Sequence, residues 1–232
     1  MRPWLSLIVP ALNEADGIAA VLAPLQPWRT QGTPGGPVEV IVVDGGSADA
    51  TVARAQPLAD QVLTAPRGRA RQMNAGAAAA RGEVLLFLHA DTQLPDDAPA
   101  RLAAALGAGD RSWGRFDVRI EGRSRWLPVV GTMMNLRSRL TGIATGDQAL
   151  FFRHEAFDAV GGFPDQPLME DIEICRRLRR AGRRPAALRA KVRTSGRRWD
   201  QRGAWRTIVL MWRLRWRYWR GESAESIARA YR

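Results

Sequence analysis

The sequence is poor in the residues that most often build a site by themselves. It has one cysteine, Cys175, which excludes an intramolecular disulfide and any cysteine-based zinc site. Its flanks, Glu173-Ile174 and Arg176, have helical spacing, so Cys175 reads as a small buried hydrophobe. His89 and His154 are the only histidines, too few for a multi-histidine metal centre. Any metal must then be held by carboxylates and substrate oxygens, which favours Mg²⁺ or Mn²⁺. No apolar run approaches the roughly 18 residues of a membrane span. The start, Met1-Arg2-Pro3-Trp4, runs into a short apolar stretch without a small-residue cleavage site, so a cytoplasmic protein is expected. No Gly-x-Gly-x-x-Gly follows the first apolar run, which disfavours an ordinary dinucleotide-binding domain.

What is present is a substantial apolar fraction, 46% of 232 residues, enough for one sizeable core. Almost every basic residue is arginine, with Lys191 the sole lysine, and the net charge is +12. Such an excess suits phosphate-bearing substrates, an anionic membrane or nucleic acid.

The stretch Val84-Leu85-Leu86-Phe87-Leu88 runs without alternation into His89-Ala90-Asp91. It reads as a strand buried on both faces, with Asp91 at the sheet's carboxyl edge, where open α/β sheets bind ligands. Leu5–Val9 and Val38–Val43 are similar runs, followed by Pro10-Ala11-Leu12-Asn13-Glu14 and Asp44-Gly45-Gly46-Ser47. Helices are expected from near Ala15 to Leu25, from Arg67 to about Arg81 and from Pro95 to Leu106. Strand and helix alternate, so a mainly parallel sheet is expected. Arg67, Arg69 and Arg71 at a helix start oppose the helix dipole, an arrangement that makes sense around a bound anion.

The second half is less regular. Phe116, Val118 and Ile120 alternate with Asp117, Arg119 and Glu121, the pattern of a half-exposed strand. Arg125–Leu140 reads as a helix, Ala149–Phe152 as a strand, and a helix with an acidic first turn follows Glu170-Asp171. A strand near Ala187–Val192 and the loop Thr194–Trp199 close a domain of residues 1–200. Residues 201–232 form an amphipathic helical tail. In it Trp205, Trp212, Trp216 and Trp219 share a helical face flanked by Arg206, Arg213, Arg217 and Arg220, while Leu210, Leu214 and Tyr218 lie opposite. Tryptophan bordered by arginine suits an anionic membrane interface, here the inner face of the cell membrane; the alternative is contact with the domain core and a second subunit, giving a homodimer.

Taken together, Pro10-Ala11-Leu12-Asn13-Glu14, Asp44-Gly45-Gly46-Ser47, His89-Ala90-Asp91, Gly146-Asp147-Gln148, Glu170-Asp171 and Arg197-Arg198-Trp199 resemble glycosyltransferase family 2 over roughly Leu5–Trp199. More narrowly they resemble its small bacterial radical-SAM/selenodomain-associated members. The resemblance implies a GT-A fold, a UDP- or GDP-linked sugar donor, a divalent metal and inversion at the anomeric carbon. It implies that Pro10, Ala11 and Glu14 line the nucleotide pocket and that Asp44 bonds the base. Arg71 and Asn74 would lie near base or diphosphate, and Asp91 would bind the metal bridging the diphosphate. Asp171 would be the general base on the acceptor hydroxyl, held ionised by its helix dipole. Gly146, Asp147, Gln148 and Glu170 would sit on the acceptor side, and Arg197, Arg198 and Trp199 would hold diphosphate and acceptor. Two positions depart from the family pattern. His89, with Ala90 after it, stands where a first carboxylate is usual, and the closing element lacks its leading glutamine.

Two other classes were weighed. A sugar-phosphate nucleotidyltransferase would usually carry a glycine-rich basic loop after the first strand, and Pro10–Glu14 has no glycine. A basic nucleic-acid-binding module accounts for the charge but not for the carboxylates at several strand ends, so no nucleic acid partner is expected. The expected partners are a nucleotide sugar and a hydroxyl acceptor, lipid-linked or amphipathic if the tail is a guide.

Overall fold

A computed structural model describes residues 2–107 and 109–231. The first half is a run of strands and helices: β1 (Leu5–Ala11), α1 (Ile18–Leu22), α2 (Gln26–Gln31), β2 (Val38–Asp44), α3 (Thr51–Ala55), β3 (Gln61–Thr64), α4 (Arg69–Ala79), β4 (Val84–Phe87), β5 (Thr92–Gln93) and α5 (Ala98–Gly107). The second half comprises β6 (Trp113–Glu121), α6 (Leu127–Thr141), β7 (Phe151–Arg153), α7 (His154–Ala159), α8 (Glu170–Arg180), β8 (Ala186–Ser195), α9 (Arg197–Arg202), α10 (Ala204–Trp219) and α11 (Ala224–Tyr231).

The strands form one sheet in the order β3-β2-β1-β4-β7-β6-β8-β5. β3, β2, β1 and β4 are mutually parallel, β7 runs antiparallel to both β4 and β6, and β8 is parallel to β6. The sheet is therefore mixed. Its parallel half brings the carboxyl ends of β1, β2 and β4 to one edge, because Val9 pairs with Val42 and Ile8 with Phe87.

The strand period of two divides the core into two layers. Leu5, Leu7, Val9, Val40, Val42 and Leu86 share one cluster, while Ile8, Ile41, Val43, Leu85 and Phe87 point into the other. On the second face α4 lies so close that a Cβ at Gly76 would meet Ile8 Cγ2 at 2.4 Å. Phe87 packs edge-on against Phe152 and Phe163 at ring separations of 5.7 and 4.9 Å. Such pairs contribute roughly 0.5–1.5 kcal/mol each beyond their burial. They anchor the strand that leads into His89-Ala90-Asp91.

Three elements differ from the sequence reading. β6 is not half-exposed over its first part: Arg115 and Asp117 are buried, and Asp117 is ion-paired with both Arg115 and Arg139 beneath α6. A bulge between Phe116 and Asp117 accompanies this pairing. The segment after Ser195 is not a loop, since Arg197, Arg198 and Trp199 open the short helix α9. Beyond residue 200 the chain folds back on itself as two helices. Leu214 of α10 and Ile227 of α11 are buried against Met169 and Ile172 at the start of α8. The inward face of α10 thus covers the helix that carries Asp171. Cys175 is fully buried, as its apolar flanks suggest, and burial pushes its thiol up to about 12. Among the described residues no helix is long and apolar enough to cross a membrane.

Candidate active site

The site begins where β1, β2 and β4 end. Pro10 and Ala11 close β1, and the two following loops are stapled together. The Asn13 backbone N–H donates to Ser47 Oγ at 2.9 Å, Asn13 Oδ1 accepts from the Ala48 N–H at 2.9 Å, and the Glu14 N–H donates to Thr51 Oγ1 at 2.8 Å. Asn13 adopts a positive φ of 53°, which asparagine tolerates better than most residues. Buried Asp44 accepts the N–H groups of Gly46 and Ser47 at 2.8 and 2.9 Å and the Ser47 hydroxyl. Those bonds use three of a carboxylate's roughly four acceptor positions, leaving one for a ligand. Gln72 of α4 reaches under both loops and donates to the carbonyls of Ala11 and Val43 at 2.8 and 2.9 Å.

At the end of β4, Asp91 is half-buried, and among the described residues its carboxylate meets only the Thr92 hydroxyl, at 3.3 Å. Thr92 is tied to Thr194 through their hydroxyls at 2.9 Å, and the Ser195 N–H donates to the Asp91 carbonyl at 3.1 Å. β5 and β8 therefore bring Asp91 next to the start of α9. There Arg197 pairs with Glu14 at 3.1 Å, closing one side of the cleft.

His89 is buried. Its Nδ1 lies 3.2 Å from Asp147 Oδ1, and its Nε2 is covered without a hydrogen-bond partner. Gly146 makes this possible: a Cβ there would stand 2.4 Å from His89 Nε2. Gly146→Ala is accordingly expected to displace the imidazole, break the His89–Asp147 pair and cost roughly 1–3 kcal/mol, read as a lower melting temperature.

Gly146–Gln148 forms a single 3-10 turn that also holds the base candidate. The Gly146 N–H donates to Asp171 Oδ2 at 2.9 Å, and the Ile172 N–H donates to Oδ1 at 2.7 Å. Burial, together with the charge of neighbouring Glu170, raises the Asp171 carboxyl to about 6 against these donors and Arg69. Burial beside a second carboxylate thus outweighs the helix dipole, although at pH 7 the carboxylate is still mainly ionised. For Asp147, burial works to raise the carboxyl, but the His89 hydrogen bond and the charges of His89, Arg69 and Arg198 outweigh it and hold it below its ordinary value.

Arg69 is the residue the sequence reading underweighted. It sits at the first position of α4, 3.8 Å from Glu170. Burial works to lower its pKa, yet the charges of Glu170, Asp147, Asp171 and Asp91 together raise it. The only available signal was its place at a helix start. Arg71, by contrast, is exposed and pairs with Asp165 at 2.8 Å. Asn74 spends its amide on Phe163, donating to the carbonyl at 2.7 Å and accepting the N–H at 3.0 Å. Gln148 has no exposed surface and bonds Ser138 at 3.1 Å, so it holds the turn. Arg198 stacks on Tyr231 of α11 with 5.2 Å to the ring centroid, and Trp199 packs against the core.

Among the described residues, no three His, Cys, Asp or Glu side chains cluster to hold a metal. A carboxylate left with a single weak partner, as Asp91 is, fits an ion that takes one or two protein oxygens and completes its shell with substrate phosphate and water.

A family model for glycosyl transferase family 2 matches residues 6–161. The chain belongs to glycosyltransferase family 2. An uncharacterized glycosyltransferase of Mycobacterium tuberculosis is 32% identical over 171 residues, 69% of this chain and 63% of that protein. The chain therefore spans less than two thirds of the length of that relative. Among solved structures, TarS of S. aureus in complex with UDP-GlcNAc superposes with a TM-score of 0.64 at 22% identity, covering 82% of this chain and 58% of that one. A mannosyltransferase from Pyrobaculum calidifontis in complex with GDP-Man and Mn2+ gives 0.63 at 24% identity, covering 83% and 57%. The chain has the GT-A fold, a central sheet flanked by helices, in common with these structures.

Proposed function

We propose that this family 2 enzyme transfers a sugar from a nucleoside diphosphate to an acceptor hydroxyl with inversion. The observation that carries this reading is Arg69 at the start of α4, paired with Glu170 at 3.8 Å and subject to the charges of Asp147, Asp171 and Asp91. Breaking a sugar–diphosphate bond develops negative charge on the leaving group, and Arg69 lies where it can meet that charge. A Mg²⁺ or Mn²⁺ ion, held by Asp91 and the diphosphate, would supply further charge neutralisation there. Asp171, oriented by two backbone N–H groups, takes the proton of the acceptor hydroxyl as that oxygen attacks from the face opposite the leaving group.

The nucleotide lies over the loops after β1 and β2. Pro10, Ala11 and Glu14 form its floor, Asp44 offers its remaining acceptor position to the base, and the His89–Asp147 pair faces the ribose. Arg197 and Arg198 close over the diphosphate, with Arg197 exchanging Glu14 for phosphate. Arg71 and Asn74 shape the outer wall rather than grip the ligand, since Asp165 and Phe163 already engage them. The donor is a UDP- or GDP-sugar, by analogy with the ligands of the two similar structures. The exposed tryptophans of α10 support an amphipathic or lipid-linked acceptor.

Incubation with a panel of UDP- and GDP-sugars, followed by measurement of free nucleoside diphosphate, tests the reading. Slow, metal-stimulated release from one donor is expected even without acceptor. Equal release from every donor, or none from any, contradicts it.

A further inference from the structure

α6 and α10 each expose an apolar stripe that nothing among the described residues covers. On α6 and the residue before it these are Trp126, Val129, Met133, Leu136 and Leu140, between 48% and 77% exposed. On α10 they are Trp205, Val209, Trp212, Trp216 and Trp219, between 50% and 73% exposed. Both sets step by alternating threes and fours, so each is one continuous seam along a helix.

The two helices share neighbours at both ends. At the start, the N–H groups of Arg123 and Ser124, just before α6, donate to Asp200 of α9, which leads into α10. At the far end, Gly142 after α6 lies against Arg179, where a Cβ would meet Cδ at 3.0 Å. Arg179 and Trp219 of α10 line the same surface pocket. Helices of 15 and 16 residues, each about 22–24 Å long, are thus tied to common neighbours, Asp200 at their starts and Arg179 at their ends.

Charge decides what covers them. Neither helix contains an aspartate or glutamate. Arg125 stands over Trp126 at 5.9 Å from its centroid, and Arg220 over Trp216 at 4.8 Å. A seam made for a second protein helix uses branched aliphatic residues flanked by charges of both signs. Tryptophan with arginine alone is the composition of a helix lying in the headgroup region of an anionic bilayer.

We infer that α6 and α10 form a single two-helix surface that docks on an anionic lipid bilayer and sets the acceptor cleft against it. The inner sides of the same helices reach the site. Leu214 packs on Ile172 beside Asp171, and Arg137 of α6 extends toward α8, where it feels the charge of Asp171. Among the described residues Arg137 Nε and Nη2 are buried without a hydrogen-bond partner, so an anionic headgroup reaching them would find donors to engage. That the docked lipid includes the acceptor rests on the glycosyl-transfer reading; the docking itself does not.

Co-sedimentation with phosphatidylcholine vesicles, with and without phosphatidylglycerol, tests the surface in the full chain. Two double variants are compared with the wild type, Met133→Asp/Leu136→Asp on α6 and Trp212→Asp/Trp216→Asp on α10. Their folding is checked by circular dichroism, and nucleotide-sugar stabilisation without vesicles reports separately on the transfer reading. The wild type should bind the anionic vesicles and release with salt, and each double variant should bind at least about tenfold less. No binding by the wild type, or full binding by the folded α6 variant, overturns the two-helix surface. A wild-type dimer that both variants convert to monomers, with no vesicle binding, assigns the surface to a second copy instead and also overturns it.

Discussion

Replacing Asp171 by asparagine is expected to abolish transfer while making the protein more stable. The kinetic half follows from the base role: removing the group that accepts the acceptor's proton costs roughly 10²–10⁴-fold in rate. The stability half follows from the raised carboxyl, about 6 against an ordinary value of 3.8. A group whose pKa is raised on folding contributes stability that is full below its unfolded value, near pH 3.8, and is lost as pH rises through about 6. At pH 7 the ionised Asp171 therefore costs stability, at most about 3 kcal/mol. Asparagine removes the charge and keeps one acceptor for the Gly146 or Ile172 N–H. Chemical denaturation at pH 7 should show a gain on the order of 1 kcal/mol, and at pH 4 the gain should vanish. In the wild type the acid limb of kcat/KM should fall near pH 6, while donor binding by the variant stays intact. A variant that retains transfer excludes Asp171 as the base.

Arg69→Met is expected to have the next largest effect, and to act twice. Arg69 pairs with Glu170 at 3.8 Å, and its charge also reaches Asp91, Asp147 and Asp171. Its loss removes stabilisation of the departing diphosphate, a term worth roughly 10²–10³-fold in kcat. It also removes one of the influences that lower the Asp171 carboxyl, so the acid limb of the pH profile should move upward. The second effect separates the role from simple damage, because a merely structural arginine would lower activity without moving the limb. The side chain is partly exposed, 46%, so the fold should survive. An unmoved limb with kcat/KM close to wild type removes Arg69 from the site. The same substitution at Arg71, whose partner is Asp165 at the periphery, should do far less.

The contrast between these two arginines shows what the sequence could and could not convey. Buried strands are legible because an unbroken apolar run has few other uses, and Leu5–Val9, Val38–Val43 and Val84–Leu88 all became central strands. Strand-end carboxylates are legible for the same reason, since the chain must leave the core there. What a side chain does on a helix depends on which way that helix turns. Arg69 and Arg71 are two residues apart and point to different partners, a difference set by the docking of α4 on Ile8. Asn74 and Gln148 occupy motif positions, yet their amides are consumed by Phe163 and by Ser138. Asp117 alternates as a surface residue would, but α6 lies over it and supplies Arg139. The rise of Asp171 was out of reach of any local pattern, because it needs burial, which only the packed fold produces. The α6 seam is written in the sequence as plainly as the α10 seam, but a covered and an uncovered apolar stripe look alike until the neighbours are placed.

Nucleotide-sugar stabilisation, measured as a melting-temperature shift with and without Mn²⁺ for the wild type and Asp91→Asn, tests the central claim most directly. One UDP- or GDP-sugar should raise the wild-type midpoint by several degrees when Mn²⁺ is present, in line with the roughly 2.7 kcal/mol gained at a hundredfold excess over Kd. The Asp91→Asn variant should lose the Mn²⁺-dependent part of that shift. No shift with any nucleotide sugar under either condition, or the same metal-dependent shift in the variant, would contradict a donor diphosphate held at the end of β4.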